Sequence, residues 1–291
     1  KLTFSSKINL FFTLGHYGPR FSRVPYAITI FDLAYLHFPE LFNKDDLYQL
    51  INWSKYSIKA AKHIFAISTS TRDDIIKNYA INPNKISITH MGYDEELFKP
   101  QPAAKIKKVK EKYAITGDYI IFVGTLQPRK NVESLLKALK LLDTGIKLVV
   151  VGKKGWLFES IFNKVKELKL ESNVIFTGYV TQQELPVLIS GAKLYVLPSL
   201  YEGFGIPVIE AQACGVPTVV SNISSLPEVV GESGVLINPT DSNSIAKGIK
   251  KVLSSEKLSQ DLVKMGYENV KRFSWQKCAD ETLKTLESLN R

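Results

Sequence analysis

Six short apolar runs of β-forming character, at residues 119–123, 147–151, 173–176, 194–197, 217–221 and 234–237, are separated by stretches with helical periodicity. Strands that alternate with helices cannot pair as tight hairpins; each crosses over and lies parallel to a neighbour, with both faces of the sheet covered. The pattern therefore predicts an α/β fold built on a parallel, doubly wound sheet. Ligands of such sheets bind outside the carboxyl ends of the strands. The residues just after each run are thus the place to look for chemistry.

The earlier part of the chain offers four comparable runs, at 8–14, 27–31, 63–67 and 86–89, which read as the second half of another open sheet. The segment from Met91 to Lys112, with Pro100, Pro102 and a lysine cluster, reads as a linker. Two domains follow: a partial amino-terminal one at 1–100 and a larger one at 101–274. A chain of 291 residues that is 45% hydrophobic can supply a core for each.

Cys214 and Cys278 stand far apart in amphipathic helical contexts, which reads as reduced, buried thiols in a cytoplasmic protein rather than a disulfide framework. The sequence holds no uninterrupted apolar stretch of about 18 residues and no charged-then-apolar leader. It starts at Lys1 rather than methionine, as an interior segment does, so further sequence is expected upstream or on another chain. The net charge is +10, and 17 of the 38 Lys/Arg but only 10 of the 28 Asp/Glu fall in residues 1–115. A basic first domain attracts nucleic acid, anionic lipid or phosphorylated substrates, but no nucleic-acid module accompanies the charge. Lys55, Lys59 and Lys62 recur at helical spacing on a helix expected at about 45–62, interleaved with Trp53, Tyr56 and Ile58. A solvated face is the plainer reading, and a membrane-surface or lipid-phosphate patch the alternative. His16, His37, His63 and His90 lack metal-ligand spacing and read as structural, no Asp-x-Asp triplet occurs, and no metal site is expected.

The run at 119–123 leads into Gly124-Thr-Leu-Gln-Pro-Arg129-Lys130-Asn131, after which Val132, Leu135, Leu136 and Leu139 mark the buried face of a helix. Two cations at the positive end of a helix cost stability. A bound anion, which helix N-termini already favour, compensates; a solvated basic pair is the alternative. Past the run at 194–197 come Glu202 and Glu210, flanking Gly203, Phe204, Gly205 and Pro207. The glycines permit close approach of backbone to ligand, and Pro207 suits a first helical turn. Carboxylates beside an anion site are placed to accept hydrogen bonds from the neutral hydroxyls of a sugar or ribose. Taken alone, a turn residue (Glu202) and a first-turn acid (Glu210) are the plainer readings. Thr181 with Glu184 and Ser225 with Glu228 have the spacing of capping boxes.

The whole string Tyr201-Glu-Gly-Phe-Gly-Ile-Pro-Val-Ile-Glu210 resembles the signature of the family-four retaining glycosyltransferases. That resemblance implies the GT-B fold: two Rossmann-like, doubly wound domains facing across a cleft, the amino-terminal one incomplete here. The last helix, 275–291, which follows Phe273-Ser-Trp275, would cross back onto the first domain. By the same resemblance Glu202 lies by the donor sugar, Glu210 binds the ribose, and Gly203, Phe204 and Gly205 hold the sugar and diphosphate. Gly124, Thr125, Arg129 and Lys130 form the diphosphate loop, with Arg129 supplying charge where many relatives have arginine directly after the glycine. The backbone at Tyr179 and Val180 would read the base, Ser199 would neighbour the diphosphate, and Lys153 and Trp156 would line the cleft. The Gly-Thr-Leu-x-Pro-Arg-Lys-Asn pattern is similar to a subgroup that builds bacterial surface polysaccharides, several members using GDP-mannose.

In the first part, Phe31-Asp-Leu-Ala-Tyr-Leu-His37 resembles the family segment where a histidine precedes the aspartate and faces the reacting sugar. Phe31 takes that place and cannot hydrogen-bond as imidazole does; Asp32 keeps a positioning role or serves as a strand-end turn acid. Ser68 and Arg72 resemble the segment opposite the donor, with helix capping by Ser70 or Thr71 as the alternative. The expectation is a retaining, metal-independent transferase moving mannose or glucose from a GDP- or UDP-sugar to a glycan or lipid-linked acceptor. No further cofactor and no nucleic acid are expected, and the location is cytoplasmic, peripheral at the inner face of the plasma membrane through the basic first domain. Phe31 and the short first domain leave a nucleotide-sugar-binding scaffold subunit as the alternative; an epimerase or a glycosidase fits the acid signature and the basic pair less well.

Overall fold

The computed structural model describes residues 8–142 and 144–289. They fall into two compact units: the first takes the described residues up to Gly92, Glu202–Phe204 and the segment from Phe273; the second takes Tyr93–Tyr201 and Gly205–Arg272.

The first unit runs β1 (Phe11–Thr13), β2 (Tyr26–Ile30), α1 (Ala34–His37), α2 (Lys44–Ala60), β3 (His63–Ala66), α3 (Thr69–Tyr79) and β4 (Ile86–Ile88). Its strands form one parallel sheet in the order β1-β2-β3-β4. Every residue of β2 and β3 is buried, which is why both read as continuous apolar runs. Ile28, Ile30, Leu33, Tyr35, Ile58, Ile64 and Ile75 build the core that joins sheet and helices. Helix α2 has Asp45 and Asp46 in its first turn and Lys59 in its last, each matched to the helix dipole. Helix α3 is started by Ser68, whose hydroxyl accepts from the Thr71 amide at 3.1 Å. The cap is therefore Ser68 itself rather than Ser70 or Thr71.

The second unit begins with α4 (Ala103–Lys112), a helix lying inside the stretch expected to be a linker. There follow β5 (Tyr119–Val123), α5 (Val132–Leu142), β6 (Lys147–Val151), α6 (Glu159–Glu167), β7 (Val174–Gly178), α7 (Leu185–Ser190), β8 (Leu194–Leu197) and α8 (Ile206–Ala213). The unit closes with β9 (Thr218–Ser221), α9 (Leu226–Val230), β10 (Gly234–Ile237), α10 (Ser242–Leu253) and α11 (Glu256–Val270). All six strands are parallel, in the order β10-β9-β8-β5-β6-β7. The chain steps outward from β5 to β7, returns to pair β8 against the other side of β5, and steps outward again. The gap between β5 and β8 is thus the topological switch point, where doubly wound sheets hold their ligands. The last helix, α12 (Trp275–Leu289), belongs to the first unit. It starts against Gly92, where an added Cβ would lie 2.1 Å from the Trp275 nitrogen.

Two sequence expectations about helix starts divide. Thr181 and Glu184 do bond, the Glu184 amide donating to Thr181 Oγ1 at 3.3 Å, whereas Ser225 makes no side-chain capping bond to α9. Among the described residues no helix is long and apolar enough to cross a membrane.

Candidate functional site

At the carboxyl end of β5, Gly124 donates its amide to the Val151 carbonyl at 2.9 Å, and Gly152 donates to Gly178 at 3.0 Å. The ends of β5, β6 and β7 are thereby stitched into one rim. Gly152 is required there: its φ is +154°, and a Cβ would fall 1.9 Å from the Gly124 oxygen. Pro128–Lys130 form a single 3-10 turn, stopped by Asn131 in the left-handed region at φ 56°. Asn131 Nδ2 donates to the carbonyls of Pro198 at 3.0 Å and Pro239 at 2.7 Å. One side chain thus ties the loop after β5 to the loops after β8 and β10.

The basic pair faces the same junction. The Leu200 amide donates to the Arg129 carbonyl at 2.9 Å, and the Arg129 guanidinium donates through Nη1 to the carbonyl of Tyr201. Lys130 lies over Gly124, its Cε 3.6 Å from where a Cβ on that glycine would sit. Ser199 is fully buried, and its carbonyl accepts from Ser221 Oγ at 2.7 Å. The structure therefore gathers Gly124, Thr125, Arg129, Lys130, Ser199 and Tyr201 at the switch point.

On the far side of the rim Val180 is buried and Tyr179 is 67% exposed. Lys153 Nζ stands 4.6 Å from the centre of the Tyr179 ring, a cation–π pair that gives Lys153 the contact its sequence context left unassigned. Helix α8 opens at Gly205, whose φ of +101° suits only glycine, and carries Glu210. Burial, with a smaller push from Asp94, raises the Glu210 carboxyl to about 7. This acid is poised between its neutral and ionised forms near neutral pH.

In the first unit Gly203 meets the end of β2. A Cβ at Gly203 would lie 2.0 Å from the Phe31 oxygen and 2.9 Å from Asp32 Cβ. Asp32 Oδ1 accepts from the Ala34 amide at 3.0 Å, so the acid does the work of a strand-end turn. Glu202 is buried. Phe204 packs its ring edge-on to Phe273 at 5.4 Å and beside His90 at 5.9 Å, 3% exposed. Its partners come from distant parts of the chain. Ser68 is likewise occupied, donating to Thr71 Oγ1 at 3.0 Å, and Arg72 pairs with Asp73 at 2.8 Å.

His16, which the sequence left as a structural residue, stacks on Phe31 with ring centres 6.0 Å apart. Its Nε2 accepts from the Phe31 amide at 3.2 Å. Burial lowers its pKa and Asp32 partly counters this, so the ring is neutral and Nδ1 carries the proton. That nitrogen is buried with no hydrogen-bond partner among the described residues. An imidazole thus stands beside Asp32 although position 31 lacks one, a juxtaposition that sixteen residues of separation hid. A cavity of about 700 Å3 in the second unit, lined by Asp118, Gly145, Lys193 and Glu256 among others, lies at the amino ends of the strands, away from all of these groups. Among the described residues no group of three or more His, Cys, Asp or Glu is placed to hold a metal ion.

A parallel sheet with a basic turn at its switch point, in a chain that carries a second parallel sheet, is the architecture of the GT-B class of α/β proteins. The profile of the family described as Glycosyl transferases group 1 matches residues 105–269, and the chain belongs to that family. It is 32% identical over 283 residues to the O-antigen chain mannosyltransferase B of Escherichia coli, covering 94% of this chain and 74% of that protein. It is 34% identical over 222 residues to the serotype-specific mannosyltransferase WbdA of Escherichia coli, covering 74% of this chain and 27% of that longer protein. Among solved structures, Anabaena Alr3699/HepE in complex with UDP and glucose superposes with a TM-score of 0.80 at 21% identity, covering 91% of this chain and 72% of that one.

Proposed function

We propose that the chain is a retaining hexosyltransferase that moves mannose from a nucleoside-diphosphate donor, GDP-mannose first among candidates, to a glycan or lipid-linked acceptor in surface polysaccharide synthesis. The observation that carries this is the Arg129–Lys130 turn fixed at the β5/β8 switch point by Leu200, Tyr201 and Asn131. Two fixed cations where a doubly wound sheet holds its ligand suit a diphosphate. The mannosyltransferase relatives support the choice of sugar.

In this reading the bond from the sugar's anomeric carbon to the β-phosphate oxygen breaks while the acceptor hydroxyl bonds to the same carbon from the same face. The acceptor's proton passes to the departing diphosphate oxygen. Arg129 and Lys130 stabilise the charge that grows on that diphosphate and supply in place what a divalent ion supplies elsewhere. Glu202 orients the sugar, and Glu210 accepts from the ribose hydroxyls.

Calorimetric titration with GDP, UDP and ADP in EDTA tests the proposal. One nucleotide should bind saturably, and Lys130→Ala should weaken it by about tenfold, roughly 1.4 kcal/mol, and abolish transfer. An unchanged rate in that variant would remove Lys130 from the site. Nucleotide binding with no transfer, in the wild type and in Phe31→His alike, would favour the scaffold reading that Phe31 motivates.

A further inference from the structure

Helix α2 turns an aromatic face toward the loop that joins β1 to β2, and the two enclose a cavity of about 490 Å3. Tyr48, Asn52, Trp53 and Tyr56 line it from the helix, at the spacing of one helical face, and Tyr17 and Arg20 line it from the loop. The walls are held in place before any ligand arrives. The Gly18 amide donates to Ser57 Oγ at 2.9 Å, which in turn donates to the Trp53 carbonyl at 2.8 Å. Tyr56 OH donates to the Arg20 carbonyl at 2.6 Å, and the Arg20 guanidinium stands 6.0 Å from the centre of the Tyr56 ring. Tyr17 meets Trp53 edge-on at 5.7 Å. Gly18 lets the loop lie flat, because a Cβ there would fall 2.2 Å from the Tyr26 ring.

Despite this order the rings stay open to solvent: Tyr48 is 66% exposed, Trp53 48%, Tyr56 43% and Tyr17 40%. Large aromatic faces kept exposed and rigid are costly unless they meet a partner. The chemistry of the walls selects the partner. A phosphate or lipid headgroup calls for several converging cations, whereas among the described residues this cavity has one, Arg20; Lys55 and Lys59 are exposed on the same helix and do not line it. Pyranose rings present an apolar C–H face that lies on an aromatic ring, and a rim of hydroxyls that pair with phenol, amide and guanidinium groups. The volume falls within the roughly 300–1,000 Å3 of small-molecule sites.

We propose that this cavity is a glycan-binding subsite that takes pyranose residues of an oligosaccharide, stacked on Trp53 and Tyr48. Calling that oligosaccharide the acceptor rests on the transferase reading above; the binding itself does not. The test is an NMR saturation-transfer and tryptophan-fluorescence titration with α-linked mannotriose, run beside a GDP titration on the same samples. Phosphatidylglycerol vesicles form a third arm. The expected result is saturable binding of the trisaccharide, weakened about tenfold by Trp53→Ala or Tyr48→Ala, largely kept by Trp53→Phe, with GDP affinity unmoved. In turnover, the same substitutions should raise KM for the acceptor and leave KM for the donor in place. Trisaccharide binding without GDP binding would uphold the subsite and sink the GDP-sugar assignment; failure of UDP and ADP to bind as well would sink the transferase reading. GDP binding without trisaccharide binding, an affinity indifferent to both alanine variants, or capture of vesicles through these residues in place of the sugar, would overturn the subsite.

Discussion

Glu210 keeps its proton into the neutral range because burial and Asp94 both disfavour its charge. Ribose hydroxyls donate hydrogen bonds, so on the proposed reading, with Glu210 accepting from the ribose, a bound nucleotide prefers the carboxylate and expels the proton. Calorimetry at pH 6.5 in buffers of unlike ionisation enthalpy should therefore show proton release on nucleotide binding. Affinity should fall by about tenfold per pH unit once the pH is well below 7, and Glu210→Gln should lose both effects. The sign for stability is the reverse of the usual acid. The folded carboxyl titrates above its unfolded value of 4.5, so its contribution is full below about 4.5 and is lost as pH rises through 7. In urea denaturation Glu210→Gln should match the wild type at pH 4 and exceed it by up to about 3 kcal/mol at pH 8. Equal stabilities at the two pH values would show that the acid is not buried as described.

The loops at the switch point depend on one short side chain. Asn131→Gly keeps the left-handed backbone but removes the donors to Pro198 and Pro239. It should cost about 2 kcal/mol in thermal or chemical denaturation and lower nucleotide affinity by loosening the Arg129–Lys130 turn; an unaltered melting curve and affinity would dismiss the tie. Which elements the sequence could reveal follows from where their partners lie. The runs at 119–123, 147–151, 194–197 and 234–237 coincide with β5, β6, β8 and β10, because a parallel strand covered on both faces is apolar at nearly every position. Helix α4 was hidden as a linker, since Lys105, Lys107, Lys108, Lys110 and Lys112 outnumber the apolar Ile106 and Val109 that mark its period. The basic turn could be read because it follows its strand directly. Phe204, His16 and the aromatic face of α2 could not, because the rings they meet come from remote segments and no local pattern announces them.

Across the whole molecule, the first unit is completed by residues from the far end of the chain. Phe273 is 1% exposed and packs with His90 and Phe204. Phe273→Ala should cost about 3–5 kcal/mol. Hydrogen exchange should locate the loss, with protection falling in β2 and β3 while β5 and β8 keep theirs; uniform loss would mean that the two units unfold as one. The division of the chain also bears on how it could be cut. Gly92 ends the first continuous stretch of that unit, yet Glu202–Phe204 and the residues from Phe273 onward return to it. A nick between Gly92 and Tyr93 would therefore give unequal fragments, the larger one carrying pieces that the smaller one needs. The larger fragment would hold the whole second unit, whereas the smaller would lack Glu202–Phe204 and α12, so reassembly would report on the fit of a three-residue loop and one terminal helix.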